Sequence, residues 1–285
     1  MSEVGGETPV ATMRLRDRLQ AQSLRVPFKI KLAVVWVVIF TVLAVLFDAM
    51  QFDVPFMRQW TPFLLKGVPT TLLVSVLAIL LALPLGLLGA LGRLSKNPIA
   101  HGVASFYISF IRGTPLIIQI FFVYLALPQL SLSLPSSIGK FLILPALVSG
   151  VLALGVNYGA YTSEIFRAGI QSVSHGQREA AEALGMTYRQ TMRRVVLPQA
   201  VRVIIPPTGN EFIAMLKDSA LVSFVGVQEL FWRAENIGQR FFKGFETLVV
   251  AAVIYWILTS IFSFFQARLE TRMSKGYVRE VAHGH

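Results

Sequence analysis

Residues 179–198, from Glu179 to Pro198, read EAAEALGMTYRQTMRRVVLP. The stretch is polar, Ala-rich and basic, and it lies between strongly apolar runs. Two helix starts frame it. Ser174 with Gln177 has the form of one capping box, and Thr187 with Gln190 the form of another. Gly185 falls between them, where a helix can end in the left-handed conformation. Pro198 is expected to stop the second helix, because it has no N–H to donate and clashes with the preceding turn. The pattern predicts a helix–glycine–helix elbow outside the membrane, suited to touching another protein. The alternative is an ordinary amphipathic surface loop.

What surrounds the elbow favours a membrane protein. Of 285 residues, 54% are hydrophobic and only 14% charged, which is too apolar for a soluble domain of this size. The absence of cysteine excludes disulfides, thiolate metal sites and Cys nucleophiles. The four histidines (His101, His175, His283 and His285) lack metal-ligand spacing. A net charge of +11 could suggest nucleic acid, but in a membrane protein it follows from retention of Lys and Arg on the cytoplasmic side. No cleavable signal peptide is expected, since the first apolar run ends in FDAMQFD without small residues for cleavage.

Six apolar runs predict an all-α polytopic protein with six transmembrane helices: 32–47, 63–91, 104–127, 141–161, 203–227 and 248–265. The connections 128–140 and 228–247 read as outer loops, the first of them turn-rich. With this topology 19 of the 26 Lys and Arg lie on the cytoplasmic side, six outside and Lys217 within a span. Both termini are then inside. No G-x-x-x-x-G-K-[ST] loop occurs, so ATP-driven transport would need a separate ATPase chain.

Three motifs carry candidate chemistry. In GNEFIAMLKDSALVSF, Glu211, Lys217 and Asp218 fall inside an apolar span, where charges normally face a cavity or each other. Glu211 and Asp218 share a helical face about two turns apart, and Lys217 lies about 100° round. Both signs of charge suit a zwitterion, with acids for an ammonium and lysine for a carboxylate. The bland alternative is that Lys217 and Asp218 neutralise one another. Pro206, Pro207 and Gly209 are expected to break this span and expose backbone to a cavity. Asn157, Tyr161 and Glu164 share a face, with Asn157 either a solute ligand or a bond between spans. Glu164 is expected at the cytoplasmic interface beside Arg167. In FIRGTPLIIQIFF, Arg112 to Pro115 break a helix and Gln119 projects into the span; alternatively this is a Pro kink with a snorkelling arginine.

The elbow pattern of Glu179, Ala180, Ala181, Gly185, Val195, Leu197 and Pro198 resembles the cytoplasmic-loop signature of ATP-binding-cassette (ABC) importer permeases, with Val195 where Ile is commoner. With RGTPL and Gln119, YTSEIFRAGIQSVSHGQ and LKDSALVSFVGVQEL, it resembles the polar amino acid branch, which serves histidine, glutamine, arginine and glutamate/aspartate. The resemblance covers roughly 63–270. It implies a five-helix permease core in 63–270 with a coupling elbow at 174–198. Outside that core lie a basic cytoplasmic tail (1–31), an extra N-terminal span with its outer loop (32–62) and a C-terminal cytoplasmic tail (271–285). It further implies a bacterial inner-membrane permease subunit and not an enzyme. The implied partners are two ATPase subunits carrying ATP and Mg, a second permease subunit of the same or a homologous chain, an extracytoplasmic amino acid-binding protein and membrane lipid, with no nucleic acid. No cofactor or metal is implied for this chain. Asn157, Glu211, Lys217, Asp218 and Gln119 become substrate-path candidates, and Glu179, Ala180, Ala181, Gly185, Leu197 and Pro198 ATPase-coupling candidates. An ion-coupled carrier with Glu211 and Asp218 as its relay is the competing expectation. A membrane enzyme would need a metal cluster or a nucleophile–base pair, and the sequence offers neither.

Overall fold

The computed structural model describes residues 27–273. Most of both expected tails falls outside this range. Among the described residues every regular element is helical. They form two compact units, one ending at Val54 and one beginning at Pro55.

The first unit holds α1 (Phe28–Ala49), which starts before the expected Leu32 and takes Lys29 and Lys31 into its first turns. All of its residues are exposed, and the side chains are apolar on every side. A helix apolar all round fits burial in lipid, and 22 residues span about 33 Å, enough for the hydrocarbon layer.

The second unit opens with α2 (Val54–Leu65) and α3 (Val68–Leu94). The expected run 63–91 is therefore divided by a turn at Lys66–Gly67. Next come α4 (Pro98–Gly113), α5 (Leu116–Phe121), a π-helical turn (Phe122–Ala126) and α6 (Leu127–Ser131). The chain bends by 109° between α4 and this second segment. Pro115 is the cause: it forces Thr114 into extended backbone, with φ −118° and ψ 145°. The run 104–127 is thus broken within Arg112–Pro115, where a helix break was expected.

The turn-rich connection 128–140 is largely helical, with α7 (Ser136–Gly139) leading into a 3-10 turn (Lys140–Leu142). That segment meets α8 (Ala146–Gln171) at 75°. After α8 come α9 (His175–Ala183), α10 (Tyr188–Thr191), a π-helical turn (Met192–Val196) and α11 (Leu197–Asp218). A 3-10 segment (Ser219–Val225), α12 (Leu230–Phe241) and α13 (Gly244–Met273) complete the described chain.

Three helices, α1, α3 and α13, are long and apolar enough to cross a membrane, or five spans if each bent pair counts as one. α11 is not among them, because its polar residues dilute it.

Prolines do not interrupt α11 as expected. Pro198 enters its first turn, where the missing donor is tolerated, directly after the π-helical turn. Pro206 and Pro207 lie in its interior. Side chains add bonds around them: the Thr208 hydroxyl donates to the Ile204 carbonyl at 2.8 Å, and Gln266 Nε2 from α13 donates to the Pro206 carbonyl at 2.6 Å.

The central seam joins α3 to α8. The buried stripe of α3 is small: Ser75, Ala78, Ala82, Gly86, Gly89 and Ala90. Small residues let two backbones approach closely where lipid offers no hydrophobic drive. Around Ala78 and Ala82 the core adds Ile120, Leu154, Tyr158, Met215 and Val222, so α5, α8 and α11 meet there.

Candidate functional site

The elbow is a helix–glycine–helix turn. Ser174 precedes α9 without a side-chain cap, and Gln177 bonds the Gln199 side chain instead. The first expected capping box is therefore absent. The second is complete: the Gln190 amide N–H donates to Thr187 Oγ1 and the Thr187 amide N–H donates to Gln190 Oε1. Between them Gly185 adopts φ +76°. The Met186 amide reaches the Ala181 carbonyl and the Gly185 amide the Glu182 carbonyl, a Schellman closure. Ala181 is buried, Ala180 is exposed, and Glu179 pairs with His175 at 3.0 Å. Leu184 (79% exposed) and Tyr188 (78%) leave an apolar tip uncovered.

A second constellation sits where α4, α8 and α11 converge. Asp218 Oδ2 accepts from the Tyr158 hydroxyl at 2.8 Å. Tyr158 stands 6.2 Å, ring to ring, from Tyr161, and the Arg112 guanidinium lies 5.2 Å above the Tyr161 ring. Glu211 interacts electrostatically with both Arg112 and Asp218. Two carboxylates, one guanidinium and two phenols thus share one region. Beside it, Asn157 Nδ2 donates to Gln119 Oε1 at 3.0 Å, and both residues are buried. Gln119 Nε2 in turn donates to the Ile111 and Thr114 carbonyls and to Thr114 Oγ1. Gln119 therefore pins the bend between α4 and α5, and Asn157 holds Gln119.

Lys217 is not brought to this cluster. It is exposed and lines a separate cleft of about 620 Å³ with Phe231, Tyr255, Trp256 and Thr259. No ion pair joins it to Asp218 or Glu211, so the two neighbours in sequence do not neutralise one another. Glu164 behaves as expected, with Arg167 at 2.7 Å and Arg93 at 3.8 Å.

Residues 82–275 match the family described as binding-protein-dependent transport system inner membrane component. The chain is 40% identical over 225 residues to the probable amino-acid permease protein YxeN of Bacillus subtilis, covering 79% of this chain and 97% of that protein. It is 38% identical to the glutamine transport system permease protein GlnP of Escherichia coli K12, covering 79% and 99%. Among solved structures, a chain of an amino acid ABC transporter crystallised with histidines superposes with TM-score 0.70 at 40% identity, covering 78% and 99%. The methionine ABC transporter MetNI shares the fold at TM-score 0.61 and 20% identity, covering 78% and 99%.

The chain belongs to this permease family. It is the membrane component of an ABC importer and not itself an enzyme, with ATP hydrolysis on a separate chain.

Three permease residues with structural weight escaped the sequence pattern. Tyr158 was hidden between Asn157 and Tyr161, although one turn before Thr162 it had to face the seam. Arg112 read as part of a helix break or as a snorkelling side chain. Glu229 lay in the connection 228–247 that read as an outer loop, yet it is 0% exposed. Its Oε1 caps α12 by accepting from the Trp232 amide at 2.7 Å. Its Oε2 accepts from the Tyr255 hydroxyl at 2.6 Å and from Thr71 Oγ1 at 3.2 Å. Burial pushes the carboxyl up from its ordinary range, and these donors pull it back.

Proposed function

We propose that the permease forms the translocation path for a polar amino acid delivered by an extracytoplasmic binding protein. The observation that carries this is the meeting of Arg112, Glu211 and Asp218 at the convergence of α4, α8 and α11. Charges inside an apolar layer cost about 2.5–3.5 kcal/mol each on insertion scales, so grouping them suits a charged solute. The amino acid names of the relatives point the same way. The acidic pair takes the ammonium. The carboxylate falls to a cation, and Arg112 is the one that acts electrostatically on Glu211, whereas Lys217 lines its own cleft.

In this proposal α11 is the fifth of six spans, and the chain is a multi-pass protein of a bacterial inner membrane. Both termini face the cytoplasm, as the Lys and Arg asymmetry supports. The residues group into a basic tail (1–31), an extra first span with its loop (32–62), the permease core shared with the family (63–270) and a C-terminal tail (271–285). Glu179, Ala180, Ala181, Gly185, Leu197 and Pro198 belong to the elbow that docks two ATPase subunits, which carry ATP and Mg. A second permease subunit, the same or homologous, completes the path.

Uptake by proteoliposomes holding the permease, its ATPase and its binding protein tests the substrate path. Arg112→Gln is expected to lower uptake at least tenfold while the ATPase still co-purifies, and Lys217→Ala to have the smaller effect. Unchanged uptake by Arg112→Gln would remove the guanidinium from the path. A larger loss with Lys217→Ala would move the carboxylate to the other cleft. Binding of an amino acid panel to the binding protein then names the solute.

A further inference from the structure

Three arginines at the start of the rod from Tyr188 to Asp218 take no part in the charged cluster. Arg189, Arg193 and Arg194, with Thr187 and Gln190, line a cleft of about 560 Å³. Arg189 and Arg193 are one turn apart and Arg194 lies about 100° round, so guanidiniums reach the cleft from two directions. Gln190 is held in place: its Oε1 accepts from the Thr187 amide at 2.8 Å and hydroxyl at 3.1 Å. Its Nε2 protons are left for the cleft.

No carboxylate lines this space. Among the described residues none of the three arginines makes an ion pair. Three other arginines on this side are committed. Arg93 and Arg167 share Glu164, and Arg178 donates to the Ile170 carbonyl. A cleft that offers donors and positive charge, and no acceptor charge of its own, selects a compact anion with several oxygens. The guanidinium fork matches phosphate in this respect.

Position narrows the source. Val195, Val196 and Leu197 follow Arg194 directly, so the cleft lies on the cytoplasmic approach to the span expected from Val203. It belongs to the limb continuous with the span, whereas the exposed tip at Leu184 belongs to the turn after α9. Inner-leaflet phosphates lie at that level, and basic pockets there recognise anionic headgroups. We propose that Arg189, Arg193, Arg194 and Gln190 bind the phosphate of an anionic phospholipid headgroup. This rests on the cytoplasmic placement of the elbow.

The test uses the permease–ATPase complex in phosphatidylcholine vesicles with and without phosphatidylglycerol, and reads retained lipid by native mass spectrometry. Each surface cation is worth about fivefold, so Arg189→Gln/Arg193→Gln/Arg194→Gln is expected to lower phosphatidylglycerol retention roughly a hundredfold. The triple lysine variant keeps the charge and is expected to restore most of it. Excess inorganic phosphate is expected to leave the lipid in place, and the ATPase to remain with every form. Equal retention by the glutamine variant overturns the proposal. Loss of the ATPase from that variant overturns it too, and assigns the cleft to the protein partner. Displacement by inorganic phosphate assigns it to a soluble anion. An ATPase that fails to co-purify with the unsubstituted chain overturns the docking proposal instead.

Discussion

Asp218 is accommodated at the end of α11 because a neighbouring helix supplies a donor. The Tyr158 hydroxyl is 2.8 Å from Oδ2 and the tyrosine is 4% exposed, so the bond is shielded from water. Hydrogen bonds to a charged group contribute about 1.5–3 kcal/mol, a factor of roughly ten to a hundred. Tyr158→Phe is therefore expected to lower amino acid uptake by at least tenfold, through a raised half-saturation concentration, with the ATPase still bound. Wild-type uptake would show that Asp218 does not need the phenol. At this scale the sequence was partly legible. A charge in an apolar run announces itself, and Glu211 and Asp218 act on one another electrostatically. Which way a charge faces is set by the neighbouring helices, and no local pattern contains them. Lys217, one residue from Asp218, opens onto α12 and α13 for that reason. Gln119 was legible as a polar residue in a span, but its bonds run back to Ile111 and Thr114 across a bend whose angle the sequence does not state.

Elements were legible where they are long and apolar, and misread where proline or polarity intervened. Pro198, Pro206 and Pro207 read as breaks, yet α11 runs through them, with a π-helical turn before it and the Thr208 and Gln266 side chains bonding beside the prolines. Gly209 belongs to the same arrangement. A Cβ there would meet the Gln266 amide, so glycine lets α13 lie against α11. α12 was read as loop because its sequence is charged. Its buried residues Leu230, Ala234, Ile237 and Gly238 nevertheless keep helical spacing. Glu229 fixes this helix to α3 and α13 at once, through Thr71 and Tyr255. Glu229→Ala removes the cap, worth about 1 kcal/mol, and leaves the half-buried Tyr255 hydroxyl without its acceptor at about 1–2 kcal/mol more, while Thr71 Oγ1 keeps the Gly67 carbonyl at 3.3 Å. The apparent melting temperature in detergent is expected to fall by roughly 5–10 °C, and by clearly less for Glu229→Gln, which still offers one carbonyl oxygen. Equal melting of all three proteins would mean that the carboxylate does not hold α12 in place.

At the scale of the whole molecule, transport requires a force applied at the elbow to reach the charged cluster, and one helical rod connects them. Tyr188 begins it and Asp218 ends it, with the π-helical turn between. The rod can transmit force only if α9, the limb proposed to seat in the ATPase, is held at a fixed angle to it. Gly185 sets that angle, since φ +76° is open to glycine and costs other L residues about 1–2 kcal/mol. A side chain at Gly185 would touch nothing within 4 Å, so strain is the only cost of a substitution there. Gly185→Ala is therefore expected to lower the melting temperature of the permease by only a few degrees. It should nonetheless lower ATPase co-purification and substrate-stimulated ATP hydrolysis about tenfold. Gly185→Asn, which tolerates the left-handed region, is expected to recover most of both. Gly176→Ala provides the control: it lies in the first turn of the same limb, is equally open, and has ordinary helical backbone. It should stiffen α9 and cost nothing. If Gly185→Ala holds the ATPase as well as Gly176→Ala does, the angle at Gly185 is not what couples the two machines, and the rod must receive its displacement through Leu197 and Pro198 instead.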